Sequence, residues 1–471
     1  MQRLNRGMLR RYEIPEHAPS RVRAVQFGLS EALLGVADRL LDAACPHIGI
    51  ACVAPDAPWD GEGANPAALL REQEGLFTLL ARGYRGETPV KDEIVIQSIL
   101  CVAEGADAVD GLARTPEVSL GLVDTLSRSL QGDLQRAARL LAARHGAGLD
   151  GLWMVCLGED VGCAERVRDA VAALAPEAGA GFAGWLKSRC TFCPALADGL
   201  AFRADAKEAA RQCAEMNYAD GMLHLAEPFA ALTIQAPAGL RELLAPAGAE
   251  GIQIVDDLSP ALDAKRRAFD AGLFLMAAPG WLLGCDTLAD CMRHERLRAF
   301  VGRAYADELL PGDPDARQAL APQVIRAFER FENPLNDNAL LPSARPLLAR
   351  FRLAALPVIR AWAMENFEPP RRLSFALAAT IMLYAGARPN ARGRYEIFRG
   401  TQIHALDDDP EALAVFATLS HDMPPEALAY AVLADRELWG GADLREIDGL
   451  EARVALDIAN LQRRPDYLPE E

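Results

Sequence analysis

The chain has 471 residues, of which 51% are hydrophobic, so it can bury large cores and suggests about two to four domains. Its formal net charge of −17 argues against a nucleic-acid partner, which requires a basic face. The basic N-terminal residues lack the apolar core of a secretory signal, and the apolar stretches are too short for a bilayer. We therefore expect a soluble, cytoplasmic protein that binds neither nucleic acid nor membrane, as a monomer or a homodimer.

The first half of the chain alternates strand and helix patterns. After an N-terminal extension over residues 1–20, a strand is predicted over 22–27, followed by Gly28, an apolar helix to about Leu41 and a strand over 47–53. This βαβ order predicts a parallel sheet. Further strand-like runs, separated in several places by helical stretches, lie at 76–83, 93–103, 118–124 and 152–157. Residues 21–255 are therefore predicted to form a doubly wound α/β domain.

The second half of the chain has a different pattern. Apolar residues recur at helical spacing through most of residues 256–471, and proline and glycine separate the segments. An all-α domain is predicted there.

Cysteine and histidine spacing does not favour a metal site. Of the ten cysteines, the close pair is Cys190 and Cys193, without the second pair that a zinc site uses. The seven histidines include no HExxH motif. We interpret the two close cysteines as ordinary thiols and predict no metal.

Lys265 admits two interpretations. It follows a strand-like run and a charged turn and precedes an apolar helix, so burial could make it a general base. The alternative is a solvated lysine beside Arg266 and Arg267, and charge runs of this kind favour a solvated face.

Several stretches, in order and at matching intervals, resemble one enzyme family. They are VRAVQFG, REQEGLFTLLARGYRGE, FAGWLKSRCTFCPALAD, MNYADGMLHLAEPFAALTIQAP, IQIVDDLSP, RFENPLNDNALL, FRLAALPVI and RRLSFALAATIMLYAG. The chain resembles the mannitol dehydrogenase family of long-chain polyol dehydrogenases, most of all its tagaturonate reductase (altronate oxidoreductase) branch. The resemblance implies a Rossmann-like NAD domain followed by a helical substrate domain. It also implies metal-free hydride transfer between a nicotinamide cofactor and a polyol or sugar-acid alcohol.

The same resemblance implies cofactor-binding residues, with departures from the family's pattern. Phe27 and Gly28 match its glycine loop, and Asp124 and Glu159 match positions after later strands. The second glycine is replaced by Ser30, an arginine by Leu34, and Glu31 adds a negative charge. We therefore expect NAD(H) to bind weakly or not at all.

The resemblance places the acid/base lysine at Lys265. The family's asparagine five residues later aligns with Asp270, and its histidine with Leu273. Asp198 matches a family position, and Arg350 stands where the family's lysine-bearing stretch aligns; both are expected to bind substrate. A further histidine position holds Asn338.

Three functions remain open from the sequence. The first is an NAD-dependent oxidoreductase acting on a sugar acid or polyol, with Lys265 as base and Asp270 as hydroxyl acceptor. The second is a catalytically inactive or repurposed homologue that binds a sugar-like ligand or a protein partner. The third is another reaction on a hexuronate, such as epimerisation, without bound nicotinamide.

Overall fold

The protein is described by a computed structural model that covers residues 2–54, 64–85, 88–179, 181–244, 250–333 and 339–469. The chain forms two compact units, Met1–Leu262 and Asp263–Glu471. Among the residues described, helices long and apolar enough to cross a membrane are absent.

The first unit contains strands and helices in alternation. Its strands are β1 (Gln2–Arg3), β2 (Val22–Phe27), β3 (Gly49–Val53), β4 (Phe77–Arg85), β5 (Thr88–Ile96), β6 (Ile99–Ala103), β7 (Leu120–Asp124), β8 (Trp153–Leu157), β9 (Thr191–Asp198), β10 (Ala201–Arg203), β11 (Tyr218–Ala219), β12 (His224–Ala226), β13 (Ala231–Gln235) and β14 (Ile252–Val255). Its helices are α1 (Arg6–Arg11), α2 (Arg39–Ala44), α3 (Pro66–Glu72), α4 (Gly105–Ala113), α5 (Leu130–Gly146), α6 (Cys163–Leu174), α7 (Phe182–Arg189), α8 (Ala206–Met216) and α9 (Ala238–Leu244), with a π-helical turn at Leu33–Asp38 and a 3-10 turn at Pro176–Ala178. Helix α10 (Ser259–Lys265) follows.

The main sheet has the strand order of a Rossmann fold. Its eight strands run β6-β3-β2-β7-β8-β9-β13-β14, and all neighbours are parallel except the pair β9 and β13. The chain order of the six parallel strands from β6 to β9 is therefore 3-2-1-4-5-6, the doubly wound arrangement. It reverses direction between β2 and β7, and ligands of such sheets bind at the carboxyl ends of the strands flanking that point.

Two hydrophobic cores cover the two faces of this sheet. Successive side chains of a strand point to opposite faces, so Leu122 lies in one core and Val123 in the other. Helix α2 packs on the first face, and helices α5 and α6 pack on the second. The predicted α/β Rossmann-like architecture is thus confirmed.

Two of the predicted strands belong elsewhere. Strand β4 pairs with β5 in a separate four-stranded sheet with β10 and β12, and the predicted strand over 93–103 is split between this sheet and the main one. The break falls at Gln97 and Ser98, whose backbone amides donate hydrogen bonds to the Asp42 carboxylate at 2.8 and 2.6 Å. Those amides are satisfied by a side chain and not by a neighbouring strand.

The N-terminal segment is packed against the rest of the first unit. Strand β1 pairs with β11, and Leu4, Met8 and Leu9 are buried in a small core with Tyr218.

The second unit is mainly helical, as predicted. Its helices are α11 (Ala271–Leu282), α12 (Leu288–Arg293), α13 (Glu295–Ala304), α14 (Pro314–Glu332), α15 (Leu340–Ala344), α16 (Leu347–Arg350), α17 (Leu356–Asn366), α18 (Arg371–Tyr384), α19 (Pro410–Ala417), α20 (Pro425–Leu433) and α21 (Leu450–Arg463). Three π-helical turns lie at Arg266–Asp270, Tyr305–Leu309 and Phe351–Ala355, and a 3-10 turn lies at Leu444–Glu446. A small antiparallel sheet is formed by β15 (Arg388–Pro389), β16 (Tyr395–Arg399) and β17 (Gln402–Ala405).

Helix α11 is the centre of the second unit. It is apolar on all sides, and residues 271–281 are buried, which is typical of a helix surrounded by others. It packs against α18, which is also buried along most of its length. The π-helical turn Arg266–Asp270 leads directly into α11, so this rigid element holds the end of that turn.

Candidate active site

A π-helical turn brings Lys265 and Asp270 together. The two residues are five apart in sequence, which places them about 140° apart around an ordinary α-helix. Here the backbone amide of Ala271 bonds the carbonyl of Arg266, the i to i+5 pattern of a π-helix. As a result, the Lys265 Nζ atom lies 3.1 Å from Oδ1 and 3.0 Å from Oδ2 of Asp270.

This pair is buried. The Lys265 side chain is 8% exposed and that of Asp270 is 4% exposed. The interpretation of Lys265 as a solvated lysine is therefore wrong, although Arg266 and Arg267 beside it are half-buried. The run of charged residues indicated a solvated face, but the π-helical turn after Lys265 brings Asp270 within hydrogen-bonding distance of its side chain.

Two arginines from other helices also interact electrostatically with Asp270. Arg350, the last residue of α16, forms an ion pair with Oδ1 of Asp270 through its Nη1. Its Nε atom donates to the Ala344 carbonyl at 2.9 Å, which fixes the guanidinium plane. Arg330 on α14 is also buried, and its guanidinium carbon lies 3.6 Å from the centre of the Phe269 ring.

The charges around Asp270 determine its ionisation. Burial disfavours the charged carboxylate, but the charges of Lys265, Arg350 and Arg330 outweigh that cost, so the pKa of Asp270 lies below its ordinary value. Among the described residues, the cluster of Lys265, Asp270, Arg330 and Arg350 places three cationic side chains around one carboxylate.

Tyr305 supports the π-helical turn. Its hydroxyl donates to the Ala268 carbonyl at 2.6 Å, and that carbonyl lies within the turn. Gly272 allows this approach, because a Cβ at that position would lie 2.4 Å from the hydroxyl oxygen. Burial raises the pKa of Tyr305, with the charge of Asp270 adding to the effect, so the phenol stays neutral.

Sequence reasoning missed Arg330 and Tyr305. Arg330 lies between Ala327 and Phe331 on the buried face of α14, so the available signal was a charge on an apolar helix face. Leu273, at the family's histidine position, is fully buried within α11. Asn338 lies outside the described residues.

The predicted cofactor residues lie at the carboxyl edge of the main sheet in the first unit. Phe27 ends β2 and is fully buried, and Gly28 follows with a φ of 93°. Asp124 ends β7, and Glu159 follows the end of β8. Asp198, a predicted substrate residue, ends β9. Because these strands are parallel, the four strand ends share one edge, and the first two flank the point where strand order reverses.

The carboxylate of Asp124 lies near the glycine loop. Its Oδ1 accepts a hydrogen bond from the Leu126 amide at 2.9 Å, and the nearby Ser30 favours its charged form. Burial raises the pKa of Asp124, and the negative charges of Glu31 and Asp133 add to the rise. Ser30, at the position of a family glycine, therefore lies close to a carboxylate.

The backbone at this edge fits a dinucleotide. The left-handed Gly28, the helix beginning after it and the reversal of strand order are the features that admit a pyrophosphate in Rossmann folds. The side chains are less favourable, since Glu31, Asp124 and Asp133 are all acidic.

The first unit also contains a cavity of about 330 Å³, which is not lined by the predicted cofactor residues. It is lined by Thr191 at the start of β9 and Gln235 at the end of β13, on the amino edge of the parallel strands. Cys193 also lines it, and burial raises the pKa of that thiol to about 12. Burial likewise raises the pKa of Cys190, to about 11, so neither thiol is activated.

Comparison with known proteins gives relatives in both sequence and fold. The chain is 29% identical over 473 residues to the altronate oxidoreductase of Klebsiella pneumoniae (strain 342), covering 93% of each. It is 28% identical over 495 residues to that of Escherichia coli O157:H7, covering 97% of each.

Solved structures share the fold over nearly the whole chain. The mannitol 2-dehydrogenase of Pseudomonas fluorescens, in a ternary complex with NAD and D-mannitol, aligns with a TM-score of 0.76 at 16% identity, covering 99% of this chain and 98% of that one. A D-sorbitol dehydrogenase in substrate-free form aligns with a TM-score of 0.69 at 15% identity, covering 99% of each. No family model matches the sequence. The predicted resemblance to the mannitol dehydrogenase family, with altronate oxidoreductases among the similar sequences, is thus confirmed.

Proposed function

We propose that the chain is an NAD-dependent oxidoreductase that interconverts a hydroxy sugar acid and its keto form. The proposal draws on the similarity to altronate oxidoreductases over 93% or more of the chain. The observation that carries it is the buried cluster of Lys265, Asp270, Arg330 and Arg350.

The charge of this cluster favours a sugar acid over a neutral polyol. Lys265, Arg350 and Arg330 together lower the pKa of the Asp270 carboxyl, and a substrate carboxylate would be favoured by the same cations. Charge-assisted bonds from arginine to a carboxylate are stronger and more directional than bonds to a neutral hydroxyl. Arg350 is the residue proposed to bind that carboxylate, and Asp198 is proposed as a further substrate residue.

Lys265 is proposed to move the proton. When bound, the nicotinamide would supply the hydride to the ketone carbon or take it from the alcohol carbon. In the reduction, the Lys265 ammonium donates a proton to the carbonyl oxygen, and in the oxidation its neutral amine removes the hydroxyl proton. The ion pair with Asp270 favours the ammonium form, which suits reduction of a keto acid at neutral pH.

The cofactor site is proposed at the carboxyl edge of the main sheet. Phe27, Gly28, Asp124 and Glu159 are the residues proposed to line it. Gly28 would allow the pyrophosphate to approach the backbone, and the helix start after it would favour an anion.

The proposal is tested by following NADH oxidation with tagaturonate, fructuronate and fructose, and NAD reduction with mannitol. We expect turnover on the keto sugar acids at least about tenfold faster in kcat/KM than on fructose or mannitol. Lys187→Ala, on the exposed face of α7, serves as a control that should retain the parent rate. A folded protein that turns over none of these substrates and shows no NADH binding would favour the inactive or repurposed homologue.

A further inference from the structure

We infer that Asp133 limits the affinity of the glycine loop for the pyrophosphate of NAD(H). The inference rests on the proposed function, because it concerns the cofactor proposed there. Asp133 lies in the first turn of α5, the helix that follows β7, and it is fully buried.

Asp133 occupies the space beside Gly28. A Cβ built on Gly28 would lie 2.7 Å from Oδ2 and 3.1 Å from Oδ1 of Asp133. A glycine at this position of a Rossmann fold leaves room for a pyrophosphate to approach the backbone. In this protein a carboxylate has taken up room next to that glycine.

Hydrogen bonds hold the Asp133 carboxylate in place. The Ser129 hydroxyl donates to Oδ2 at 2.7 Å, and the Ser127 hydroxyl donates to the same atom at 3.4 Å. The buried, bonded carboxylate has little freedom to move aside for an incoming phosphate.

Asp133 also forms an ion pair with a nearby arginine. Arg136, one helical turn further along α5, forms an ion pair with Oδ1 of Asp133, and its side chain is 12% exposed. The guanidinium that could have bound a phosphate oxygen is therefore neutralised by a carboxylate already in place.

Four further charged or titratable groups described near this edge are Asp124, Glu31, Arg203 and His224. Asp124 and Glu31 are acidic, and their charges act on each other. Arg203, whose charge interacts with Glu31, donates its guanidinium hydrogens to the carbonyls of Ala64 and Gly221. His224 is held neutral, since burial lowers its pKa. The five groups Glu31, Asp124, Asp133, Arg136 and Arg203 thus carry a net negative charge.

The experiment measures NADH binding by calorimetry to the full-length parent and to Asp133→Asn. Removing this charge frees Arg136 and reduces the repulsion, so the dissociation constant should fall about tenfold, equivalent to about 1.4 kcal/mol. Adding Arg136→Met to Asp133→Asn should abolish most of that gain. Asp110→Asn on α4, which removes an ion pair with Arg139, is the matched control and should leave affinity unchanged.

A salt titration of the parent gives a second readout that requires no substitution. If repulsion dominates, screening should tighten NADH binding as salt rises, the reverse of a cationic phosphate site. This readout decides the matter if Asp133→Asn does not fold by circular dichroism.

The outcomes separate this inference from the proposed function. Measurable NADH binding with the same affinity in the parent and in folded Asp133→Asn overturns the inference and leaves the proposed cofactor intact. Affinity of the parent that falls with salt also overturns it. No binding by any variant overturns both the inference and the proposed cofactor.

Discussion

Two polar regions of this protein, the Lys265 cluster and the glycine-loop edge of the main sheet, shift the pKa of a buried carboxyl group in opposite directions. In the second unit, Lys265, Arg330 and Arg350 surround one carboxylate, and their charges lower its pKa. At the sheet edge of the first unit, Asp124 and Asp133 are buried beside the glycine loop, and the pKa of Asp124 is raised. Similar burial thus accompanies pKa shifts of opposite direction, and the charges nearby set the direction.

In the proposals above, the cationic cluster would favour the substrate carboxylate, and the acidic edge of the main sheet would oppose the pyrophosphate of the cofactor. We therefore expect a substrate that binds well and a cofactor that binds weakly.

The largest expected effect is loss of turnover in Lys265→Met. The thioether fills similar volume but moves no proton, so kcat should fall by about 10³-fold or more. Asp270 keeps its pairing with Arg350 in this variant, so the fold should persist. Steady-state kinetics on tagaturonate, with circular dichroism as the folding check and Lys187→Ala as control, make the measurement. A variant with full activity would remove Lys265 from the mechanism and weaken the family-based assignment of the cluster.

Arg350→Met tests whether Arg350 binds the carboxylate of the substrate. Loss of the guanidinium removes the proposed carboxylate-binding group, so kcat/KM for the sugar acid should fall about 30- to 100-fold, mostly through KM. The rate on a neutral ketose should change little. Arg352→Met, a neighbouring half-buried arginine in the π-helical turn at Phe351–Ala355, is the matched control. Equal losses on acidic and neutral substrates would show that Arg350 acts only in packing.

Much of the fold was predictable, because periodicity reports which faces are buried. The strand over 22–27 was predicted with its observed bounds, since four of its six residues, Val22, Ala24, Val25 and Phe27, are apolar and pack into the two cores. The run over 93–103 was not resolved into two strands, because hydrophobicity does not say which sheet a strand joins. That division depends on Asp42, a residue distant in sequence.

The candidate site was predictable only in part. The sequence identified Lys265, Asp270 and Arg350 through the resemblance, and the structure places these three together. The π-helical turn that joins them has no local signature, because it depends on the Tyr305 hydroxyl from another helix. Asp133 was missed because its contact with Gly28 spans the β2–α5 packing, which the local sequence does not encode.

Asp270→Asn changes stability and the pH dependence of turnover. The pKa of Asp270 is lowered in the fold, so its stabilising contribution is present above the unfolded pKa and is lost as pH falls through the folded value. At pH 7 the amide should therefore cost about 3 kcal/mol of unfolding free energy, and the difference should shrink at low pH. Without the carboxylate the lysine pKa should fall, which moves the rise of the oxidation rate to lower pH and leaves activity equal or higher. Urea unfolding and pH–rate profiles test both, and an unchanged profile would argue against direct coupling of the pair.

The smallest expected effect comes from Asp457, another buried carboxyl group of the second unit. This residue of α21 is buried like Asp270, but burial dominates over the charges of Arg453 and Arg371 and raises its pKa to about 6. A raised carboxyl pKa destabilises the fold, starting above the unfolded value near 3.8 and reaching its full extent above about 6. Asp457→Asn should therefore stabilise the protein by about 1 to 2 kcal/mol at pH 8, because the buried amide keeps part of the desolvation cost, and by little at pH 4. Thermal unfolding at the two pH values provides the test, with Asp466→Asn near the C-terminus as an exposed control. Equal gains at both pH values would mean that charge burial is not the cause, and the contrast with Asp270 would then need a packing explanation.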